Sequence, residues 1–493
     1  MLAWLFACSD YELNEEPKEV PFDSGGDTSS PFVDTGEPLP DIAVDPSEYD
    51  AGDVLEGSPV TVTVTLSNVG DAALSLALVE SGWGMDVDLT GSAIPPNGGA
   101  SVTLSTVAVA GEVADVLRVR SDDPDEPIVE VPLRYRGVSP CSWELWHPDT
   151  CEDGGWGGTG ADGEGVLSGD FAPTVTTLTA DVAGTVLAVA DETGFAVDDE
   201  VFLHGADGSY AFARVVGLAP LTVQDAVAFS AGTVVQRVPH YTDVRVEGAS
   251  GARVVFRACG TVSLSGDLSA AGLGWAGGQR TTTIPELGWQ GASETGAGGQ
   301  SNLANGTGGG GGSESCNVHA DGGGGGHATA GAKGGDWDSY PCGGPGGDGG
   351  GTIGDASLAT LHLGGGGGGG YLDNDAGGGS YGGRGGAGGG IVRVVATGGF
   401  TGAGAIRADG AAGEDGFYAD GGASPGGGGG GAGGSVWLVG DVGVAVSAAG
   451  GAGGVGSEAG GSPTTGGQGG DGRVRIDGAV SGTVSPEPYL GCP

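Results

Sequence analysis

The sequence predicts an all-β protein whose second half is a glycine-rich repeat structure. Three observations carry this prediction. Apolar and polar residues alternate with period two over short segments, as at Val60, Val62, Val64 and Leu66, which is the spacing of half-buried strands. Helical periodicity is nearly absent. Most of the 113 glycines lie beyond residue 250, a density far above the usual ~7%. There, runs such as 364–370 and 426–431 alternate with short apolar segments such as 391–395 and 435–439.

Length and charge narrow the classes further. A chain of 493 residues suggests about three domains. With 63 acidic against 17 basic residues the formal net charge is −46, which repels nucleic acid and anionic surfaces and argues against a nucleic-acid partner. The same charge keeps a glycine-rich chain soluble. Of the seven cysteines, Cys8 stands apart at the N-terminus. The remaining even set, in a turn-rich chain, points to disulfides in an oxidising compartment. Sequence proximity favours Cys141 with Cys151 and Cys316 with Cys342, while Cys259 reads equally as a half-buried thiol or as a partner of Cys492.

Taken in order, residues 1–8 are an apolar run ending in Leu5-Phe6-Ala7-Cys8. This resembles a bacterial lipoprotein box, which implies cleavage before Cys8 and lipidation of its thiol. The run is shorter than a full secretory signal and no basic residue precedes it, so a truncated signal is expected. Ser9 resembles the outer-membrane sorting pattern of Gram-negative lipoproteins. Residues 9–40 are rich in Asp, Glu, Pro, Ser and Thr, too poor in apolar groups to offset their ordering entropy, and read as an acidic disordered tether.

Residues 41–138 alternate regularly between turns at 68–70, 95–99 and 122–125, so about seven strands in ~100 residues suggest an immunoglobulin-like sandwich. The strings Ser67-Asn68-Val69-Gly70-Asp71-Ala72, Ile94-Pro95-Pro96-Asn97-Gly98-Gly99 and Ser121-Asp122-Asp123-Pro124 resemble the hydin-type immunoglobulin-like domain of bacterial surface proteins. Ala51-Gly52 stands where that family has Phe-Gly. The resemblance implies a spacer or a binding module rather than catalysis. Residues 139–165 form a Trp/Cys junction in which Trp143, Trp146 and Trp156 either plug a domain interface or offer faces for a sugar to stack on.

Residues 166–250 alternate again and read as a small β-roll or barrel. Within it, the string 193–201 resembles a short β-module found ahead of glycine-rich repeats in large secreted bacterial and phage proteins, where the chain turns at the glycine and the Phe packs inward. From residue 251 a plan of strand, turn, strand and glycine recurs over 251–271, 389–413, 433–451 and 470–484. Units that cannot bury an apolar face alone usually stack, which predicts a glycine-rich β-solenoid over 251–493 with the glycine runs as loops. The alternative is a β-sandwich with polyglycine-helix inserts, because chains without side chains can pack as extended three-fold helices. The composition is similar to that of glycine-rich regions in bacterial surface proteins, phage tail adhesins and the extracellular part of the anaplastic lymphoma kinase family.

The search for chemistry yields little. Gly378-Gly379-Ser380-Tyr381-Gly382 fits a nucleophile elbow by letters alone and lacks the strand and helix that motif needs. His319 and His327 read as solvated loop residues rather than zinc ligands. The string 466–472 begins a calcium-binding nonapeptide, but Arg473 replaces its inward apolar residue. No cofactor is expected, calcium through Asp373, Asn374 and Asp375 being the weaker alternative. The sequence therefore predicts a non-enzymatic lipoprotein on the surface of a Gram-negative outer membrane, with a structural or adhesive role. The expected partners are the membrane, through the lipid, and a surface polysaccharide or another cell-surface protein. The alternatives are a carbohydrate- or receptor-binding module, with Trp275, Trp289 and Trp337 as further stacking residues, and a β-solenoid polysaccharide-degrading enzyme.

Overall fold

The computed structural model describes residues 37–55, 58–88, 93–109, 111–138, 157–282, 287–313, 320–336, 344–372, 379–419, 425–456 and 463–491. All its regular elements are strands, and among these residues no helix is long and apolar enough to cross a membrane. The protein is all-β. It forms two compact units, and the boundary between them passes through sandwich strands: Asp50–Val60 and Val107–Ala114 go with the larger unit, which continues from Arg134.

Two antiparallel sheets make the sandwich. One runs Ile42–Asp45, Pro59–Asn68, Gly99–Val107, Gly84–Asp88; the other runs Tyr49–Leu55, Ile128–Val138, Gly111–Ser121, Leu74–Glu80, Ala93–Ile94. Alternation puts Val62, Val64, Leu66, Val102, Leu104, Leu117, Val119, Val131 and Leu133 in the core. The three motif strings do the joining. Asn68 is fully buried, its amide donating to the carbonyls of Ala72 (2.7 Å) and Ile94 (2.9 Å) while its oxygen accepts from Gly70 (3.1 Å). A side chain at Gly70 would strike the backbone of Leu39. Asp123 accepts from the Ile42 amide at 2.8 Å, fixing the first strand.

Residues of the β-module form a six-stranded antiparallel sheet in the order Val175–Thr177, Val234–Val238, Glu200–His204, Tyr210–Gly217, Leu221–Phe229, Val182–Leu187. A bridge between Leu178 and Val189 joins its two edges, closing a barrel. Gly194 turns with φ 89°, a conformation that favours glycine, and delivers Phe195 into the core with Leu187, Val201, Leu203, Val215 and Val223.

In the last half, each recurring unit gives one strand to one parallel sheet and one or two to a second. Arg253–Ala258, Ile391–Ala396, Ser435–Val439 and Arg473–Asp477 pair side by side; Leu268–Ser269, Ala405–Arg407, Ala445–Ser447 and Val484–Ser485 do the same opposite. Register is regular, so Val254, Val392, Val436 and Val474 form one apolar row and Phe256, Val394, Leu438 and Ile476 another, packed on the facing sheet's Leu264, Leu268, Ile406 and Val446. The strand pairing does not by itself make this half a solenoid, because the glycine runs between units are not projecting loops.

They build a lattice out of backbone. Along 364–371, the amides of Gly364, Gly367 and Gly370 donate to Gly389, Gly386 and Gly383; those of Gly365, Gly368 and Tyr371 donate to Gly326, Gly323 and Ala320; those of Gly366 and Gly369 donate to Ala292 and Trp289. One neighbour is met every third residue, which defines an extended three-fold chain. The carbonyls of the same run accept from 275–281, 309–312 and 426–432. Residues 364–371 thus have six neighbouring chains, and so do 321–326 and 426–434. No direction is left for a side chain: a Cβ on Gly368 would lie under 3.0 Å from the backbone of Gly310, and one on Gly429 equally close to Gly323. Glycine is required because the neighbours are peptide groups, and the close approach lets the buried peptide groups of adjoining chains bond to one another.

Candidate functional site

The residues singled out in the sequence for lipidation, bridging and stacking, Cys8, Cys141, Cys151, Cys316, Cys342, Trp143, Trp146 and Trp156, lie outside the described residues, as do Trp337, His319, Asp373, Asn374, Asp375 and Cys492. Cys259 is described; it is buried and disulfide-bonded. Trp275 is half-buried, packed against the apolar cluster of Phe202, Phe212 and Trp437. His327 corrects the expectation of a solvated loop histidine. It is fully buried, and desolvation pushes its pKa down to about 3. The lattice encloses it because chains flank the turn after Gly326 on several sides.

Three polar groupings stand out. At the junction of the barrel and the parallel sheets, Arg257 holds Glu200 through two bonds, Nε to Oε2 at 2.6 Å and a second guanidinium nitrogen to Oε1 at 2.8 Å. His240 Nε2 meets the same carboxylate at 2.9 Å, and its Nδ1 faces Thr159 Oγ1 at 3.1 Å. Burial would raise the Glu200 pKa, but the Arg257 charge and the bonds from His240 and Arg257 hold it down at about 2. The hydroxyl, imidazole and carboxylate mimic a catalytic triad in outline. Glu200 and the ring of His240 are closed off from solvent, so the group fastens the barrel to the sheet and offers no entry to a substrate.

The second grouping is a ladder on the outer face of the sheet that carries the barrel. Register aligns Arg393, Trp437, Arg475 and Tyr489 on successive strands. Arg393 lies between Phe212 (4.4 Å) and Trp437 (4.2 Å), and Arg475 stands over Trp437 (4.1 Å). Trp437 donates to Asp477 at 2.7 Å. Desolvated cation–π pairs contribute about 2 kcal/mol each, and this ladder joins the units where side chains are permitted.

The third lies on the flank of the lattice and is open to solvent. The Arg280 guanidinium sits 3.9 Å from the centre of the Tyr381 ring, and Tyr381 stacks on Phe417 with centroids 5.2 Å apart and planes 23° apart. These residues come from three different chains of the lattice. Tyr381 and Phe417 exchange backbone bonds of 2.9 Å in both directions, and Arg280 pairs with Glu414 at 2.9 Å. Ser380, the serine of the elbow-like string, is buried and accepts from the Ala419 amide at 3.0 Å, an anchoring role. Phe417 is 49% exposed. Sequence reading missed this stack; its only trace is that Arg280, Tyr381 and Phe417 interrupt glycine-rich segments.

Among the described residues no three His, Cys, Asp or Glu side chains come together as metal ligands. Asp471, the aspartate of the nonapeptide-like string, accepts from the Gly450 amide. An open cleft beside the barrel contains Asp181, Asp207 and Glu294, and each already serves the fold: they accept from Ala231, Ser209 and Thr307 respectively.

Comparison with known proteins leaves the all-β assignment resting on the strands themselves. No protein family and no curated protein matches the chain. Solved structures share only partial likeness: a protein of unknown function from Porphyromonas gingivalis W83 (15% identity, TM-score 0.17), a PapD-like domain of human CEP192 (13%, 0.18) and the YadV chaperone (15%, 0.16). They align with 20%, 24% and 38% of this chain, and with 46%, 99% and 85% of their own lengths. The chain thus spans less than half of the Porphyromonas protein.

Proposed function

We propose that the protein is a non-enzymatic, lipid-anchored component of a Gram-negative outer membrane with a structural or adhesive role. The observation that carries this reading is the lattice. Chains at 321–326, 364–371 and 426–434 are each bonded to six neighbours, a close-packed construction suited to stiffness. The Glu200 cluster is closed off from solvent, and the carboxylates of the more exposed groupings are engaged in internal bonds, which supports a scaffold over catalysis. The lipoprotein box ending at Cys8, the acidic tether and the cysteine set agree with export. The immunoglobulin-like sandwich serves in this reading as a spacer between membrane and lattice.

Expression of the complete gene in a Gram-negative host with labelled palmitate tests the reading. The label is expected on the protein and absent from a Cys8→Ser variant; protease added to intact cells should cleave the protein, and deleting the gene should reduce attachment of its native cells to surfaces. A protein that takes up no label and stays inaccessible on intact cells overturns the proposal.

A further inference from the structure

We propose that the open face of Phe417 is a stacking site for a neutral oligosaccharide. This inference rests on the adhesive reading and names its ligand class. Arg280, Tyr381 and Phe417 form successive layers of one stack. Tyr381 covers one face of the Phe417 ring, and Phe417 nevertheless stays 49% exposed. The next layer must be flat on one side and apolar there, with polar groups at its rim. A pyranose ring has that shape, since its axial C–H bonds form an apolar face that suits an aromatic ring.

Rigidity favours the site. Paired backbone bonds between residues 381 and 417, the bond from the Ala419 amide to Ser380, and a 2.9 Å bond from the Gly416 amide to the Val455 carbonyl fix the Phe417 backbone. A ligand that docks there pays little to order the protein. Val455, in the next chain, is 42% exposed.

Charge selects the class. The cation of the stack, Arg280, is already paired with Glu414, and Asp415 accepts from the Val455 amide at 2.7 Å. In a chain of net charge −46 an acidic polysaccharide meets long-range repulsion. A neutral glycan meets no such repulsion.

The test uses the purified full chain with cellohexaose, mannohexaose and dextran as probes and alginate as the acidic contrast. At least one neutral probe is expected to bind, with alginate much weaker. Phe417→Ala should weaken binding about tenfold, or 1.4 kcal/mol, with the melting temperature unchanged, and Phe417→Trp should restore it. Absence of binding to every neutral probe, equal binding by the Ala variant, or preference for alginate overturns the site. So does a dimer that Phe417→Ala dissociates, because the ring would then be covered by a second copy. If no probe binds while gene deletion still abolishes cell attachment, this site falls and the adhesive reading stands.

Discussion

The sandwich and the lattice solve one problem, burying backbone, with opposite materials. In the Pro59–Asn68 strand, side chains at 60, 62, 64 and 66 are buried and those at 61, 63 and 65 exposed, so apolar area removed from water holds the sheets together at about 25 cal/mol per Å². In the lattice the contacts are between peptide groups, each hydrogen bond contributing only about 1 kcal/mol net. The sandwich therefore tolerates change wherever a side chain points outward. The lattice tolerates none at its inner positions, whatever the chemistry of the replacement. Specificity lies in shape in one region and in the absence of side chains in the other.

The largest expected effect follows from that contrast. Gly368→Ala puts a Cβ against the backbone of Gly310 in a chain with neighbours on every side, and rigid peptide groups cannot yield as a flexible side chain would. A loss of more than about 4 kcal/mol is expected, seen as rapid hydrogen exchange across 320–330, 364–371 and 426–434. Gly184→Ala, where nothing lies within 4 Å, should change stability by less than about 0.5 kcal/mol. Leu66→Ala in the sandwich should cost about 3 kcal/mol and leave lattice exchange as it was. Equal responses to Gly368→Ala and Gly184→Ala would break the comparison.

How much of this was legible depended on how local the cause was. Alternation at Val60 to Leu66 announced the sandwich, and the turn residues Asn68, Gly70, Asn97 and Asp123 stood out in short strings, although the partners of Asn68 and Asp123, such as Ile94 and Ile42, lie far along the chain. Glycine density announced that side chains were unwelcome after residue 250, but it is silent on which chain neighbours which. The neighbours of 364–371 come from segments up to ninety residues away, and glycine offers no pattern by which to pair them. The Arg393, Trp437, Arg475 and Tyr489 ladder and the Arg280, Tyr381 and Phe417 stack were hidden for the same reason. Their members are ordinary residues until parallel register or lattice packing brings them together.

A third region is held by charge, and it sharpens the contrast. Glu200→Gln removes the carboxylate that accepts two bonds from the buried Arg257 guanidinium and should cost about 3–5 kcal/mol, loosening the barrel from the sheets before either unfolds. The sign with pH follows from the lowered carboxyl. Its contribution is fully present above the unfolded value near 4.5 and is lost as pH falls through about 2. His204 and His327, held near 4 and 3 by burial, remove further stability as pH falls below 6.5, since the unfolded chain takes up protons that the folded chain refuses. Thermal melts from pH 7 to 3 should show this decline, and its slope between pH 4.5 and 3 should be shallower in Glu200→Gln.

The last effect runs the other way and isolates the lattice. Asp321 is fully buried there, one oxygen accepting from the Gly427 amide at 2.6 Å and the other without a partner. Burial raises its pKa to about 6 against the opposing bonds from Thr464 and Gly427. Here the folded value lies above the unfolded one, so the stability it contributes is full below about pH 3.8 and is lost as pH rises through about 6. At pH 7.5 a carboxylate sits ionised among peptide groups that cannot rearrange around it. Asp321→Asn keeps the acceptor for Gly427 and removes the charge. It should stabilise the lattice by about 3 kcal/mol at pH 7.5 and by close to nothing at pH 3.5. The difference between variant and parent, taken at each pH, cancels the opposing histidines. A difference that stays flat from pH 3.5 to 7.5 would mean that the lattice relaxes around the charge, and that its stiffness is less than its bonding pattern requires.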